Sequence, residues 1–180
     1  MKNWNVVVTV IPGPAHEQHI LYRVGQLGEF HPSPFKDVTL GKVEDVQAFL
    51  EALHAASERG EEWMAELGRV IPVEHVFHFD ADNLVEGLLQ AVDPWLDRLS
   101  EGSLCVRVER RGLAGIINSQ KVEREVADHL FTLAEKKGVQ LHASLEDPDF
   151  LIAAETVGND CGVGFIPRAL RARYPFVRVG

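Results

Sequence analysis

The chain has 180 residues, 46% of them hydrophobic, a formal net charge of −9 and two cysteines. That length suits one mid-sized domain or two small ones packed together, and no apolar run approaches the roughly 20 residues that cross a bilayer as a helix. Cys105 and Cys161 have no CxxC partner, which argues against a metal cluster or a secreted disulfide framework and for reduced thiols in the core. The start, Met1 to Val8, leads into a strand pattern instead of a cleavable signal, so a cytoplasmic protein without a membrane segment is expected.

Acidity is unevenly spread. Residues 1–96 hold 6 Lys+Arg against 15 Asp+Glu, whereas residues 97–180 hold 12 of each. A net negative chain is a poor polyanion binder as a whole, because phosphate binding draws on clustered Lys and Arg. The second half is where such a cluster could form.

In chain order, Asn5–Ile11 is β-branched and apolar and is stopped by Pro12-Gly13-Pro14, the pattern of a buried strand and a turn. His16–Leu27 carries Ile20, Leu21, Val24 and Leu27 as a helical stripe with Gly28 at its end. Pro32, Pro34 and Gly41 break Phe30–Val43 into a hairpin whose better strand is Asp37–Val43. Val46, Phe49, Leu50 and Leu53 predict a helix over Glu44–Arg59, with Gly60 as its stop and a short helical extension at Glu61–Leu67. Val70–Phe79 reads as one strand, with Pro72 near its start. Strand, helix, two strands, helix, strand is the order of a ferredoxin-like sandwich, expected over residues 1–80.

Leu84, Leu88, Leu89, Val92, Leu96 and Leu99 predict a helix over Asp80–Leu99, restarted near Asp93 by Pro94. Leu104, Val106 and Val108 alternate with Cys105, Arg107 and Glu109, which places Arg107 on the face away from the apolar one. After a turn at Gly112–Gly115, Ser119 is the expected N-cap of a helix striped by Val122, Val126, Leu130 and Leu133 and stopped by Gly138. Lys121 with Glu125, and Arg124 with Asp128, are i,i+4 neighbours on it. Strands near Val139–His142, Phe150–Val157 and Cys161–Ile166, and a short helix after Pro167, complete an α/β second half.

Arginine dominates the cations of that half, and its planar fork suits phosphate oxygens. The loop Gly112–Ser119, flanked by Arg110, Arg111 and Lys121, leads into a helix N-terminus whose free N–H groups favour an anion. From composition alone these charges are solvated and balanced by Glu109, Glu123, Glu125 and Asp128. Tyr174 and Phe176, in the Arg-rich tail, are candidates for stacking on bases, or else for packing onto the body. His75 and His78 are three apart and point to opposite faces of a strand, and His16 with His19 lacks a third ligand, so no metal is assigned. Gly158, Gly162 and Gly164 fail the dinucleotide fingerprint, and no cofactor is expected. With no nucleophile elbow, P-loop, zincin helix or Cys-His pair, catalytic residues are not assigned and the chain reads as non-enzymatic.

One resemblance gives these features a function. Leu104-Cys-Val-Arg-Val-Glu-Arg-Arg-Gly112-Leu-Ala-Gly-Ile-Ile-Asn-Ser119, the run to Gly138, and Leu145-Glu-Asp-Pro-Asp149 entering Phe150–Glu155 together resemble the core of a THUMP domain, an RNA-binding module of tRNA-modifying proteins. The likeness covers residues 81–180 and implies a THUMP-like domain there, after a ferredoxin-like domain. Because the sequence stops at Gly180, and because Phe165–Arg178 reads like the end of such a protein, it looks most like the stand-alone adaptors that help an acetyltransferase make acetylcytidine in tRNA. The resemblance implies tRNA as one partner and a separate modifying enzyme, an acetyltransferase, as another. It implies an RNA surface among Arg107, Arg110, Arg111, Asn118, Ser119, Lys121, Arg124, Arg168, Arg171, Arg173 and Tyr174. That expectation requires the guanidinium groups to converge in one patch. The competing expectation is a small enzyme acting on a nucleotide or acidic metabolite in a cleft between the two halves.

Overall fold

The computed structural model describes residues 1–180 and shows a mixed α/β chain with two sheets and five α-helices. The first sheet takes β1 (Val6–Val10), β2 (Glu29–Pro32), β3 (Val38–Lys42) and β4 (Leu67–Pro72) in the order β2-β3-β1-β4, with every neighbouring pair antiparallel. Helices α1 (His16–Val24) and α2 (Val46–Glu58) follow β1 and β3, so chain order and strand order together are those of the ferredoxin-like sandwich. β1 is buried along its whole length because it is central, and Ile20, Val24, Phe49, Leu50 and Leu53 from the helices join its core. α2 begins two residues later than the apolar stripe suggests, because the Asp45 carboxylate accepts the Ala48 amide at 3.0 Å and caps it there.

The second sheet takes β5 (His75–His78), β6 (Gly102–Glu109), β7 (Leu141–Ala143), β8 (Phe150–Val157) and β9 (Asp160–Pro167) in the order β5-β9-β8-β6-β7. β6 runs parallel to both of its neighbours, and β9 antiparallel to both of its own. α3 (Leu84–Val92), a 3-10 segment Asp93–Arg98 that starts at the expected Pro94 position, and α4 (Ser119–Lys136) pack on one face. α5 (Arg168–Arg173) and an extended tail close the chain.

Two readings of local sequence are revised by this architecture. Val70–Phe79 is divided between the sheets: the Val73 amide bonds Asn5 beside the first sheet, and the next amide, Glu74, bonds Val163 of the second. The run looks continuous because both pieces are extended, but β5, within the segment expected for the first unit, is a partly exposed edge strand of the second sheet. The N-cap of α4 is Asn118, not Ser119. Asn118 has extended backbone angles and its side chain accepts the Lys121 amide at 3.1 Å, which makes Ser119 the first helical residue.

Strand alternation gives the second sheet two different faces. Leu104, Val106, Val108, Ile152, Ala154, Val163 and Phe165 form a core with α3 and α4, while Cys105, Leu151, Ala153, Val157 and Ile166 join the core of the first sheet. Cys105 and Cys161 are both free and buried, and they belong to opposite cores, so they form no bridge. The two halves close on each other at Gly162 and Gly164. A Cβ at Gly164 would lie 2.1 Å from the Pro72 carbonyl oxygen, and one at Gly162 would lie 2.4 Å from the Trp4 ring. The tail then seals the seam: the Phe176 carbonyl accepts the Val70 amide on β4 at 2.9 Å, and Tyr174 and Val177 are each 1% exposed.

Candidate nucleic-acid interface

The arginines named from sequence do not form one patch. Arg110, Arg111 and the N-terminus of α4 lie at the end of β6 and β8 marked by Glu109 and Val157, while Arg168 lies beside Asp149 at the other end. The eight residues of β8 separate the two by roughly 23 Å at the rise of an extended strand. Arg168 is occupied by acids, 2.6 Å from Asp149 and 3.1 Å from Asp147. Arg173 makes a two-pronged contact with Glu51 of α2, both bonds at 3.1 Å. Tyr174 donates its hydroxyl to the same carboxylate, and its ring is enclosed, with no face free for a base. The Arg173 and Tyr174 hydrogen bonds, in that order, hold the Glu51 carboxyl at about 2.

Arg111 is also interior. It is 9% exposed, its guanidinium sits 3.7 Å from the fully enclosed Glu155 carboxylate, and its Nη1 has no hydrogen-bond partner. Burial pushes the Glu155 carboxyl up to about 7, against the pull of Arg111. Desolvation of the Glu155 carboxylate outweighs the attraction at that separation, as is common for buried pairs. Arg111 is therefore enclosed beside β8 and does not face solvent.

A free set remains. Lys121 and Arg124 are exposed on the first turns of α4, with Asn118 exposed just ahead of them and Ser119 half-buried. Lys121 lies 4.0 Å from Glu125 as its spacing predicted. The first N–H groups of α4 have no intrahelical acceptor, and only that of Lys121 is taken by the cap. Glu123, counted as a neutralising acid, is occupied elsewhere: its carboxylate accepts the Val108 amide at 2.8 Å. That bond forms because β7 ends at Ala143, opposite Leu104, and leaves the rest of β6 without a strand on that side. Arg110 donates to the Gly112 carbonyl on the adjacent loop.

On the other face of the second sheet, away from α4, lies a cleft of about 250 Å³ whose charged lining is Arg107, Arg171, Arg178 and Glu146. Its floor is Cys105 and Leu151, and the β7–β8 loop supplies Leu145 and Pro148 as a wall. Arg107 is aimed by its bond to the Gly180 carbonyl at 2.8 Å, and Arg171 by one to the Pro148 carbonyl. Arg171 also lies 3.9 Å from Asp147 at the rim. Burial lowers the affinity of Arg171 for its proton, and its Nε is enclosed and unpartnered. Burial also pushes the Cys105 thiol up, so the floor carries a neutral thiol and no thiolate nucleophile. Arg178 additionally lines a larger depression of about 680 Å³ between α2 and the tail, which contains Arg173. Sequence reasoning did not select Arg178, because only the folded tail brings it opposite Arg107. The strand alternation that placed Arg107 away from the helices was the available signal.

No protein-family model and no curated protein matches the chain. Solved structures do match it. TrmN from Thermus thermophilus superposes with a TM-score of 0.60 at 16% identity, over 92% of this chain and 47% of its own. A 4-thiouridine synthetase solved with RNA and bound ATP gives a TM-score of 0.53 at 11% identity, over 91% of this chain and 41% of its own. SMU.472, described as a candidate methyltransferase and solved with SAH, gives 0.53 at 15% identity, over 93% and 42%.

The mixed α/β fold is shared with these proteins and is THUMP-like. At these identities the likeness is one of fold, and the chain spans less than half the length of each of the three. The expectation of a non-enzymatic chain is corrected by this finding: the same backbone arrangement occurs within chains named for enzymatic activities.

Proposed function

We propose that the chain binds folded tRNA on the face of the second sheet away from α4 and presents it to a modifying active site. The observation that carries this reading is the cleft lined by three guanidinium groups, Arg107, Arg171 and Arg178, against one lining acid, Glu146, and one rim acid, Asp147, 3.9 Å from Arg171. Such groups neutralise backbone phosphates and position RNA by its shape, with little reading of bases. The exposed start of α4, with Lys121 and Arg124, offers a second cationic surface. A fold shared with a synthetase solved in complex with RNA supports the same reading. In its narrower form the active site belongs to a separate acetyltransferase that forms acetylcytidine, as the resemblance of residues 104–155 to a THUMP domain implies. The acidic ferredoxin-like part then faces the enzyme, since it would repel RNA.

The test is a titration with total tRNA at several salt concentrations. The double variant Arg107→Ala/Arg178→Ala is expected to weaken binding and to reduce the slope of log K against log salt by roughly 1.5 to 2, the release expected for two lost phosphate contacts. Arg168→Ala, at a guanidinium already held by Asp147 and Asp149, is expected to leave the slope unchanged. A wild-type slope in the double variant rejects the assignment, and equal affinity for tRNA and mononucleotides favours a small-molecule site.

A further inference from the structure

The first half carries a recess that RNA binding does not use. Between α1 and the 3-10 turn Glu62–Glu66 runs a groove of about 430 Å³, lined by His19, Tyr22, Arg23, Glu62, Trp63 and Glu66. Tyr22 is 66% exposed, an unusual position for a large ring. Trp63 rests one face on the core, and its indole N–H donates to Glu61 at 2.9 Å, which fixes the orientation of the ring. Glu61 is in turn engaged by Arg59 at 2.7 Å. Glu66 is held from the other side by His19 at 3.0 Å and by His16 at 3.7 Å. The recess is thus two aromatic faces and two carboxylates, most of them set in place by neighbours.

Arg23 shows what this arrangement attracts. Its guanidinium carbon lies 5.9 Å from the centroids of both Tyr22 and Trp63, at the outer limit of cation–π attraction, so the rings are already addressed by a cation without being tightly covered. We propose that the groove binds the arginine or lysine side chain of a basic protein segment. A cation entering it meets the negative faces of two rings together with Glu62 and Glu66, on a half with 15 acidic and 6 basic residues. A nucleobase stacked on the same rings would instead bring its phosphates over Glu61, Glu62 and Glu66 and be repelled. The inference stands apart from the RNA-binding reading, since it concerns other residues and a ligand of opposite charge.

The full chain is titrated with an oligo-arginine peptide by calorimetry, in parallel with a short RNA. Tyr22→Ala, a change at an exposed position that leaves the core intact, is expected to weaken peptide binding about three- to tenfold, and Trp63→Ala at least as much. Arg23→Ala is expected to tighten peptide binding, because the internal competitor for the rings is gone. An RNA ligand would show the opposite sign at Arg23, so weaker RNA binding by Arg23→Ala together with crosslinking of RNA to Trp63 overturns the proposal. Peptide affinity unchanged by Tyr22→Ala also overturns it, since attraction would then come from net charge alone.

Discussion

On the helix side of the second sheet, Leu104, Val106, Val108, Ile152, Ala154, Val163 and Phe165 meet α3 and α4 with apolar atoms alone, whereas on the side facing the first half Leu151, Ala153 and Ile166 share the surface with Arg107, Glu109 and Glu155. The difference follows from what arrives at each face. A helix presents a stripe of side chains, and side chains of matching volume fill the space between. The other face is met by the Pro72 carbonyl at the end of β4 and by an extended tail, so backbone oxygens come close, two glycines are needed, and charged groups gather where the contact opens. The helix face stabilises the fold, and the seam face carries both the joint between halves and the arginine cleft.

The largest test of this contrast is Gly164→Ala. Its Cβ would fall 2.1 Å from a backbone oxygen that no side-chain movement can displace, and a loss of about 3 kcal/mol or more in chemical denaturation is expected. A loss under about 1 kcal/mol would show that the two halves do not close at this point. The cysteines offer a sharper pairwise comparison, because they sit on opposite faces. Cys161→Ser encloses a hydroxyl in the fully buried helix-side core and is expected to cost about 1–3 kcal/mol. Cys105→Ser places the same hydroxyl on the floor of the arginine cleft and is expected to cost less than about 1 kcal/mol. Equal costs would mean that the cleft is as dry as the core.

A pH dependence belongs to the seam as well. Glu155 is pushed from an ordinary value near 4.5 up to about 7 by burial, so between those values the folded chain holds a proton that the unfolded chain has released. Stability therefore falls as pH rises through this window and is greatest below it. Urea midpoints measured at pH 5 and pH 8 should differ for the wild type and converge in Glu155→Gln. An undiminished difference in the variant would assign the effect to other groups.

Much of the architecture is legible before folding because its signals are local. The alternation Leu104-Cys-Val-Arg-Val-Glu109 assigned faces to β6 correctly, and the stripe Val122, Val126, Leu130 identified the buried side of α4. The division of Val70–Phe79 was hidden, since an extended chain that passes from a buried strand to a partly exposed edge strand of another sheet keeps strand character throughout. Tyr174 was ambiguous between stacking and packing for a similar reason: its surroundings include Glu51, 123 residues earlier.

What the sequence determined by itself was the ferredoxin-like order of elements in the first half, the facing of β6 and α4 in the second and the acidity of the first, all properties of neighbours along the chain. Only the tertiary structure decided which arginines are free. Arg173 meets Glu51 across 122 residues, Arg168 meets Asp149 across 19, and Arg107 faces Arg178 in the cleft because the tail folds back along β4. Charge is written residue by residue, but its neutralisation depends on distances of a few ångströms between segments, and those distances are set by packing.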